Sequence, residues 1–382
     1  MKIINRLADR FSKVQPLPAG THHLQAMQDD KPYRLHLRLQ QDGSGVLILN
    51  ASTILQLNPT AAEYAFHFIK GTDPDEAAKQ IASRYRISKG MAREDYNDFV
   101  DRIQTLISTP DLDPVSFLDF ELAQPHSADL SAPLRLDCAL TYRLPANTQA
   151  EYAPTKRVDR ELTTDEWRSI FDKAWRAGIP HLTFTGGEAT LRDDLTDLIA
   201  HAEKNGQVCG LLTDGLKLID KEYLDQLLQS GLDHILFLLQ PENENSWQAL
   251  KAIMSQDIFV TVHLTLNRYD IADAEKYLER LSSLEVKSLS LALAAESLDA
   301  NYDQPRNRAA ELGLTLRFDL PVPYSADNPV ALETRDDAIP EGPGKAWLYV
   351  EPDGDVLPAQ GMADKILGNF LRDEWSTIHS KA

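Results

Sequence analysis

The stretch Thr183-Phe-Thr-Gly-Gly-Glu188 decides how this chain is read. A short strand ends in two glycines and a carboxylate, and a helix opens just beyond, near Arg192-Asp193. Glycines at a strand C-terminus let another backbone or a ligand approach closely, and the same glycines are what a tight strand-to-helix turn needs. A carboxylate at that point can pair with a ligand amine. Around it the chain is regular. Strand-like runs begin near Leu134, His181, Val208, His234, Ile258, Lys287 and Leu314. After the first, the steps are roughly 25–30 residues, the scale of a βα unit. The helices between are punctuated by caps and stops. Thr163-Thr-Asp-Glu166 is a capping box, and Gly178, Gly206 and Gly231 end successive apolar stripes. Alternating strands and helices with near-continuous apolar strands predict a parallel sheet. The fold class is α/β: a partial (β/α)6-type TIM barrel over residues 134–325, with the site at the strand C-termini.

Upstream the pattern changes. Tyr33-Arg-Leu-His-Leu-Arg-Leu39 alternates as a half-buried strand does, Asp42-Gly43-Ser44-Gly45 turns, and Val46-Leu-Ile-Leu-Asn50 returns. Three helices follow. Asn58-Pro59 and Asp73-Pro74 are cap-plus-proline starts, and the third helix carries Tyr96, Phe99, Val100, Ile103, Leu106 and Ile107. Residues 1–110 therefore read as a winged-helix-like α+β domain, with a short amphipathic lead-in at Ile3, Ile4, Leu7 and Phe11. Residues 111–133 read as a linker holding one packed patch, Phe117-Leu-Asp-Phe120. At the other end, Trp347-Leu-Tyr-Val350 and Val356-Leu357 flank the Asp-Gly turn of Glu351-Pro-Asp-Gly-Asp355. A terminal helix is expected over 373–380, so residues 326–382 form a short hairpin-helix extension.

The 382 residues carry a formal charge of −19, which argues against nonspecific nucleic-acid binding and against anionic membrane surfaces. Two cysteines, Cys138 and Cys209, make no disulfide framework and fit a reducing, cytoplasmic setting. No run approaches the length of a membrane helix. The ten histidines show no zinc-binding spacing, and no phosphate-binding, nucleophile-elbow or dinucleotide motif is present, so no metal site is expected.

Taken together, Leu134-Arg-Leu-Asp-Cys138-Ala-Leu-Thr-Tyr142-Arg-Leu-Pro145, Thr183 to Glu188 and Thr213-Asp-Gly215 resemble the radical SAM enzymes. The resemblance implies a C-x3-C-x2-C loop after the first strand, holding a four-iron cluster, with Gly186, Gly187 and Glu188 on the amino end of S-adenosylmethionine and Asn267 at a frequent polar position. Here the second and third thiolate positions are Tyr142 and Pro145, and Leu238 stands where a serine is usual. The tail resembles the auxiliary-cluster (SPASM-like) extension of the same superfamily, with Ala359 in place of its cysteine. Thiolates are what hold such clusters. No iron–sulfur cluster is expected, and Cys138 reads as a vestige. Leu57-Asn-Pro-Thr-Ala-Ala62 and its surroundings resemble the leader-recognition (peptide-chaperone) domain of pyrroloquinoline quinone biosynthesis and related ribosomal-peptide pathways. This implies an extended peptide at a sheet edge, Val46, Leu47, Ile48, Leu49 and Asn50 or the following 52–57, with the helix over 96–107 as the other wall.

On the strand Phe259-Val-Thr-Val-His-Leu-Thr-Leu-Asn267 the face Thr261, His263, Thr265 and Asn267 is polar. Thr183, Thr185, Arg317 and Asp319 extend that face, so the lumen is expected to be polar, with His263 a weak candidate base. The expected function is that of a radical SAM pseudoenzyme binding a precursor-peptide leader beside an active radical SAM partner. No catalytic residue is assigned, and the reading leans away from an enzyme. The alternative is a non-radical enzyme, or a protein binding S-adenosylmethionine or another small molecule at the Gly-Gly-Glu turn.

Overall fold

A computed structural model describes residues 14–28, 31–50, 53–109, 112, 130–146, 148–266, 273–293, 303–317, 320–326, 328–330 and 342–381. The expected lead-in helix and the Phe117-Leu-Asp-Phe120 patch lie outside the described residues, as do Asn267 and Asp319. The chain divides into two compact units, 1–131 with 176–180, and 132–175 with 181–382.

The first unit is a four-stranded antiparallel meander, β1 (Gly20–Gln28), β2 (Lys31–Leu39), β3 (Gly45–Leu49) and β4 (Thr53–Leu57), in that spatial order. Three helices follow, α1 (Pro59–Ile69), α2 (Pro74–Tyr85) and α3 (Lys89–Ser108). Each starts where a side chain satisfies the first free amides. Asn58 accepts from Ala61, Asp73 from Asp75 and Glu76, and Ser88 from Met91. Leu35, Leu37, Leu47, Leu55, Ala62, Ala65 and Ile103 are buried together as the core between sheet and helices.

This arrangement corrects the peptide-edge expectation for Val46, Leu47, Ile48, Leu49 and Asn50. β3 is an internal strand, paired with β2 on one side and β4 on the other. Its backbone groups are spent, and all five of its residues are buried. Asn50 follows it at φ 48, and its side chain accepts from the Arg34 amide. Among the described residues the edge strands are β1 and β4, and Gln28 of β1 donates to the Gln104 carbonyl of α3 at 3.3 Å.

The second unit is a ten-stranded sheet in the order β11-β10-β9-β8-β7-β6-β5-β12-β13-β14. Its first seven described strands in chain order run parallel: β5 (Arg135–Thr141), β6 (His181–Gly186), β7 (Val208–Thr213), β8 (His234–Leu238), β9 (Phe259–Leu266), β10 (Ser288–Leu293) and β11 (Thr315–Arg317). Six helices join them: α4 (Thr164–Ala177), α5 (Leu195–Asn205), α6 (Lys221–Gln229), α7 (Glu244–Met254), α8 (Ala274–Ser283) and α9 (Asp303–Glu311). The order advances in one direction without reversal. Right-handed crossovers then place every helix on the same face, which is the winding of a partial (β/α) barrel. The stop signals hold: Gly206 caps α5 at φ 93, a conformation that side chains avoid.

The tail joins this sheet. β12 (Trp347–Val350) lies parallel to β5, pairing Leu348 with Leu136 and Val350 with Cys138. β13 (Asp355–Leu357) and β14 (Gly368–Asn369) continue antiparallel, and α10 (Trp375–His379) closes the chain. The hairpin and terminal helix are as expected, but the hairpin widens the barrel sheet at β5 within one compact unit.

Candidate functional site: a carboxylate-lined cavity at the strand C-termini

A cavity of about 530 Å³ opens where β5 to β9 end. Leu144, Pro145 and Thr148 line it after β5, Gly187 and Glu188 after β6, and Asp214 after β7; Leu238 ends β8, and Thr265 is near the end of β9. This is the face where parallel α/β barrels carry their sites. Among the described lining residues, Glu188, Asp214 and Glu242 carry carboxylates and none carries a basic group.

The two glycines are explained by backbone contact. Gly187 donates to the Thr141 carbonyl at 2.8 Å, and Glu188 donates to that of Arg143 at 2.9 Å. A Cβ on Gly186 would stand 2.0 Å from the Thr141 oxygen, and one on Gly187 would stand 2.2 Å from the Arg143 oxygen. Gly186 also holds φ 135. The turn thus zips the loop after β5 onto the end of β6, and only glycine fits.

Glu188 is 4% exposed, and its carboxylate is already engaged. One oxygen accepts from the Thr190 amide at 2.9 Å, the Thr190 hydroxyl at 2.6 Å and the Thr213 hydroxyl at 2.8 Å. The other accepts from the Asp214 amide at 2.9 Å. Glu188 therefore braces the ends of β6 and β7 together. Asp214 presents the less occupied carboxyl group. One of its oxygens accepts from the Leu216 amide at 3.0 Å, and its carboxyl lies against that of Glu188. Burial and then the Glu188 charge push Asp214 up to about 7. The sequence singled out Asp214 only as part of Thr213-Asp-Gly215; its pairing with Glu188 needed the register of β6 on β7.

The expected cluster positions do not converge as a ligand set. Cys138 sits inside β5 and not in a loop, between Phe184 of β6 and Val350 of β12. It is fully buried, which pushes its thiol well up. Tyr142 is 3% exposed, and its hydroxyl donates to Glu351 at 2.8 Å. Arg157 completes that carboxylate's shell at 2.5 Å, and the Tyr324 ring stands edge-on to Tyr142 with centroids 5.5 Å apart. Pro145 lines the cavity and offers no side-chain donor. Cys209, the second cysteine, is buried in β7 with its sulfur against the Gln207 and Ile199 carbonyls. Four-iron clusters require thiolates. Two buried thiols on separate strands, a committed phenol and a proline do not fit one. Ala359 supplies no ligand atom either. No group of three or more metal-binding side chains occurs among the described residues.

Deeper in the sheet the expected polar face is real. Thr261 shares a hydrogen with Ser288 at 2.8 Å, and His263 contacts Ser290 at 2.9 Å and Thr265 at 3.1 Å. Burial lowers His263 to about 4, so it is neutral and held by hydroxyls. Thr183 donates to Asp137. Arg317, expected in this face, is instead exposed on the edge strand β11. Near the start of β6 and β8, the ring nitrogens of His181 and His234 meet at 2.7 Å. No spacing in the sequence foretold that pair.

Residues 138–254 match the Radical SAM superfamily. Three crystal structures of SuiB from Streptococcus suis share the fold. The form bound to precursor peptide SuiA aligns at TM-score 0.58 and 14% identity, over 92% of this chain and 87% of that one. The form bound to S-adenosylmethionine aligns at 0.56 and 14% over the same shares. A third aligns at 0.54 and 15%, over 89% and 86%. The superfamily match runs from Cys138 within β5 to the end of α7, so the first four strands of the barrel sheet are where the chain is similar to the Radical SAM superfamily.

Proposed function

We propose that this chain is a peptide-binding component of a peptide-maturation system and performs no iron–sulfur radical chemistry of its own. The observation that carries the reading is Tyr142, buried and bonded to Glu351 at the position of the second thiolate. Cys138 beside it is sealed within a strand. A protein of the same fold, SuiB, has been crystallised with its precursor peptide, which supports a peptide as the ligand. With β3 internal, the strand that receives it is β1 or β4, and pairing to an open edge is an established mode of peptide capture. An active radical SAM enzyme is then the partner that performs the chemistry in the cytoplasm. Anaerobic reconstitution with iron and sulfide tests the reading. The expected result is no bound iron and no cluster absorbance; a stable four-iron signal overturns it.

The cavity favours a second reading, in which the barrel binds a small cationic ligand without radical chemistry. Among the described residues, three carboxylates and no basic group line it. The fold of SuiB holds S-adenosylmethionine, which makes that cofactor the first ligand to titrate. Calorimetry at neutral pH showing no heat above dilution would remove this reading and leave the first intact.

A further inference from the structure

We propose that His181 and His234 form a two-imidazole site for a late first-row divalent metal ion, at the end of the barrel sheet opposite the cavity. His181 opens β6 and His234 opens β8, so both stand at the N-terminal end of the parallel strands. β7 runs between them, yet their Nε2 atoms lie 2.7 Å apart. Gly210 of β7 makes that meeting possible. A Cβ there would stand 2.2 Å from Cε1 of His234 and 2.5 Å from its Nε2, so the ring crosses β7 where β7 has no side chain. Glycine weakens a strand interior, and its presence there marks a close approach. The two histidines are 53 positions apart, which is why no motif spacing reveals them.

The pair differs from the third histidine of the lumen. His263 has a hydroxyl at each ring nitrogen, Ser290 at 2.9 Å and Thr265 at 3.1 Å, and is a satisfied core residue. His181 and His234 instead turn the same nitrogen toward each other, with centroids 4.9 Å apart and ring planes inclined at 68°. The contact is made through the nitrogens and not through the ring faces. Between two neutral imidazoles a single proton makes such a contact. A metal ion takes the place of that proton, and imidazole ligates in its neutral form. Burial keeps both rings in that form, with His234 and Arg135 adding to the effect on His181, and Arg135 to that on His234. The Arg135 charge is itself matched, because its guanidinium donates to Asp137 at 2.8 and 3.1 Å and lies over the Trp347 ring at 5.3 Å.

Zinc–nitrogen bonds of about 2.0–2.1 Å in a tetrahedron set the two nitrogens ~3.3 Å apart, so the rings need to part by roughly 0.6 Å from their present 2.7 Å. This end of the sheet is open to an incoming ion. Both histidines are partly exposed, and Phe259, paired with His234 from β9, is 54% exposed. Solvent completes the coordination, and the bound ion clamps β6 to β8 across β7. Imidazole suits zinc, copper and nickel, whereas iron(II) stands low in the affinity order, so the site is not expected to retain iron.

Titration of the metal-free full chain with zinc, in competition with a chromophoric chelator, tests the site. One zinc ion per chain is expected, with a dissociation constant on the order of 1 μM and a melting temperature that rises as zinc is added. His181→Asn and His234→Asn should each weaken binding by roughly tenfold or more and lose the rise. His201→Asn, which removes the imidazole held by Asp172 at 2.7 Å on another face, should change neither. If the first two variants do not fold, anomalous diffraction at the zinc edge from crystals of the parent chain locates the ion without a substitution. The peak is expected between the two Nε2 atoms. No zinc binding by the parent, undiminished binding in the folded His181 and His234 variants, binding lost in His201→Asn, or an anomalous peak elsewhere alone overturns the proposal.

Discussion

Tyr142 and Glu351 are 209 positions apart in the sequence and joined by a hydrogen bond of 2.8 Å. The bond ties the loop after β5 to the turn of the C-terminal hairpin. The carboxylate is buried, yet the pair is balanced, because Arg157 meets the same oxygen at 2.5 Å. Removing one member of a buried, charge-assisted group costs more than a surface contact does.

Tyr142→Phe should therefore destabilise the second unit by roughly 1–3 kcal/mol. Tyr142→Cys, which restores the thiolate spacing, also deletes a buried ring and should cost roughly 3–5 kcal/mol. Denaturant unfolding checks both. A Tyr142→Cys variant as stable as the parent would mean that Tyr142 is not an anchor.

Gly186→Ala and Gly187→Ala should each be severe, at roughly 3 kcal/mol or more. The new methyl would meet a backbone carbonyl at 2.0 or 2.2 Å, and a backbone strand cannot rotate aside as a flexible side chain can. Soluble yield and melting temperature read the effect. Gly90→Ala, where nothing lies within 4 Å of the added Cβ, is the control.

Both cysteines should be silent towards a thiol reagent in the native protein and titrate fully in denaturant. Each is buried, and Cys138 is also held in its protonated form by burial and by Asp137. Prompt native labelling at Cys138 would show that β5 opens at its β12 side.

Acid should weaken the second unit. Burial depresses His181, His234 and His263, the last two to about 4, whereas unfolded histidine titrates near 6.5. Between those values the unfolded chain takes up protons that the folded one refuses, so stability present above about 6.5 is lost on descent towards 4. Asp214 acts in the opposite sense, because its raised value favours the folded state as pH falls from 7. Glu351 and Asp353, both raised by burial, act with Asp214, and the three histidines are expected to outweigh them. The melting temperature should fall over that window, and less steeply in a His181→Asn/His234→Asn variant.

Local features were legible and long-range ones were not. Asn58, Asp73 and Ser88 cap their helices because a side-chain oxygen needs only the next turn to act. The strand starts near His181, Val208 and His234 were visible from apolar runs ending in punctuation. The position of β3 was misjudged although a signal existed: Val46-Leu-Ile-Leu49 does not alternate, and an unbroken apolar run belongs to an interior strand. The site was legible as Gly186-Gly187-Glu188, but what those residues do was not. Whether a carboxylate faces a ligand or braces its own loops depends on Thr190 two residues on and on Thr213 and the Asp214 amide arriving from the end of β7. The Tyr142–Glu351–Arg157 group has no sequence period at all, since it forms only when β12 reaches β5.

That pairing of β12 with β5 also sets an order of events. The first strand of the barrel acquires its outer neighbour from roughly two hundred residues downstream, so that neighbour leaves the ribosome well after it. Closing so long a loop is slow, and it comes after the local βα units have had time to form. Until then the β5 edge carrying Leu136 and Cys138 has no pairing partner on that side. A chain cut before Trp347 would keep this exposed edge permanently, and so should be recovered as an aggregating species and not as a smaller folded barrel.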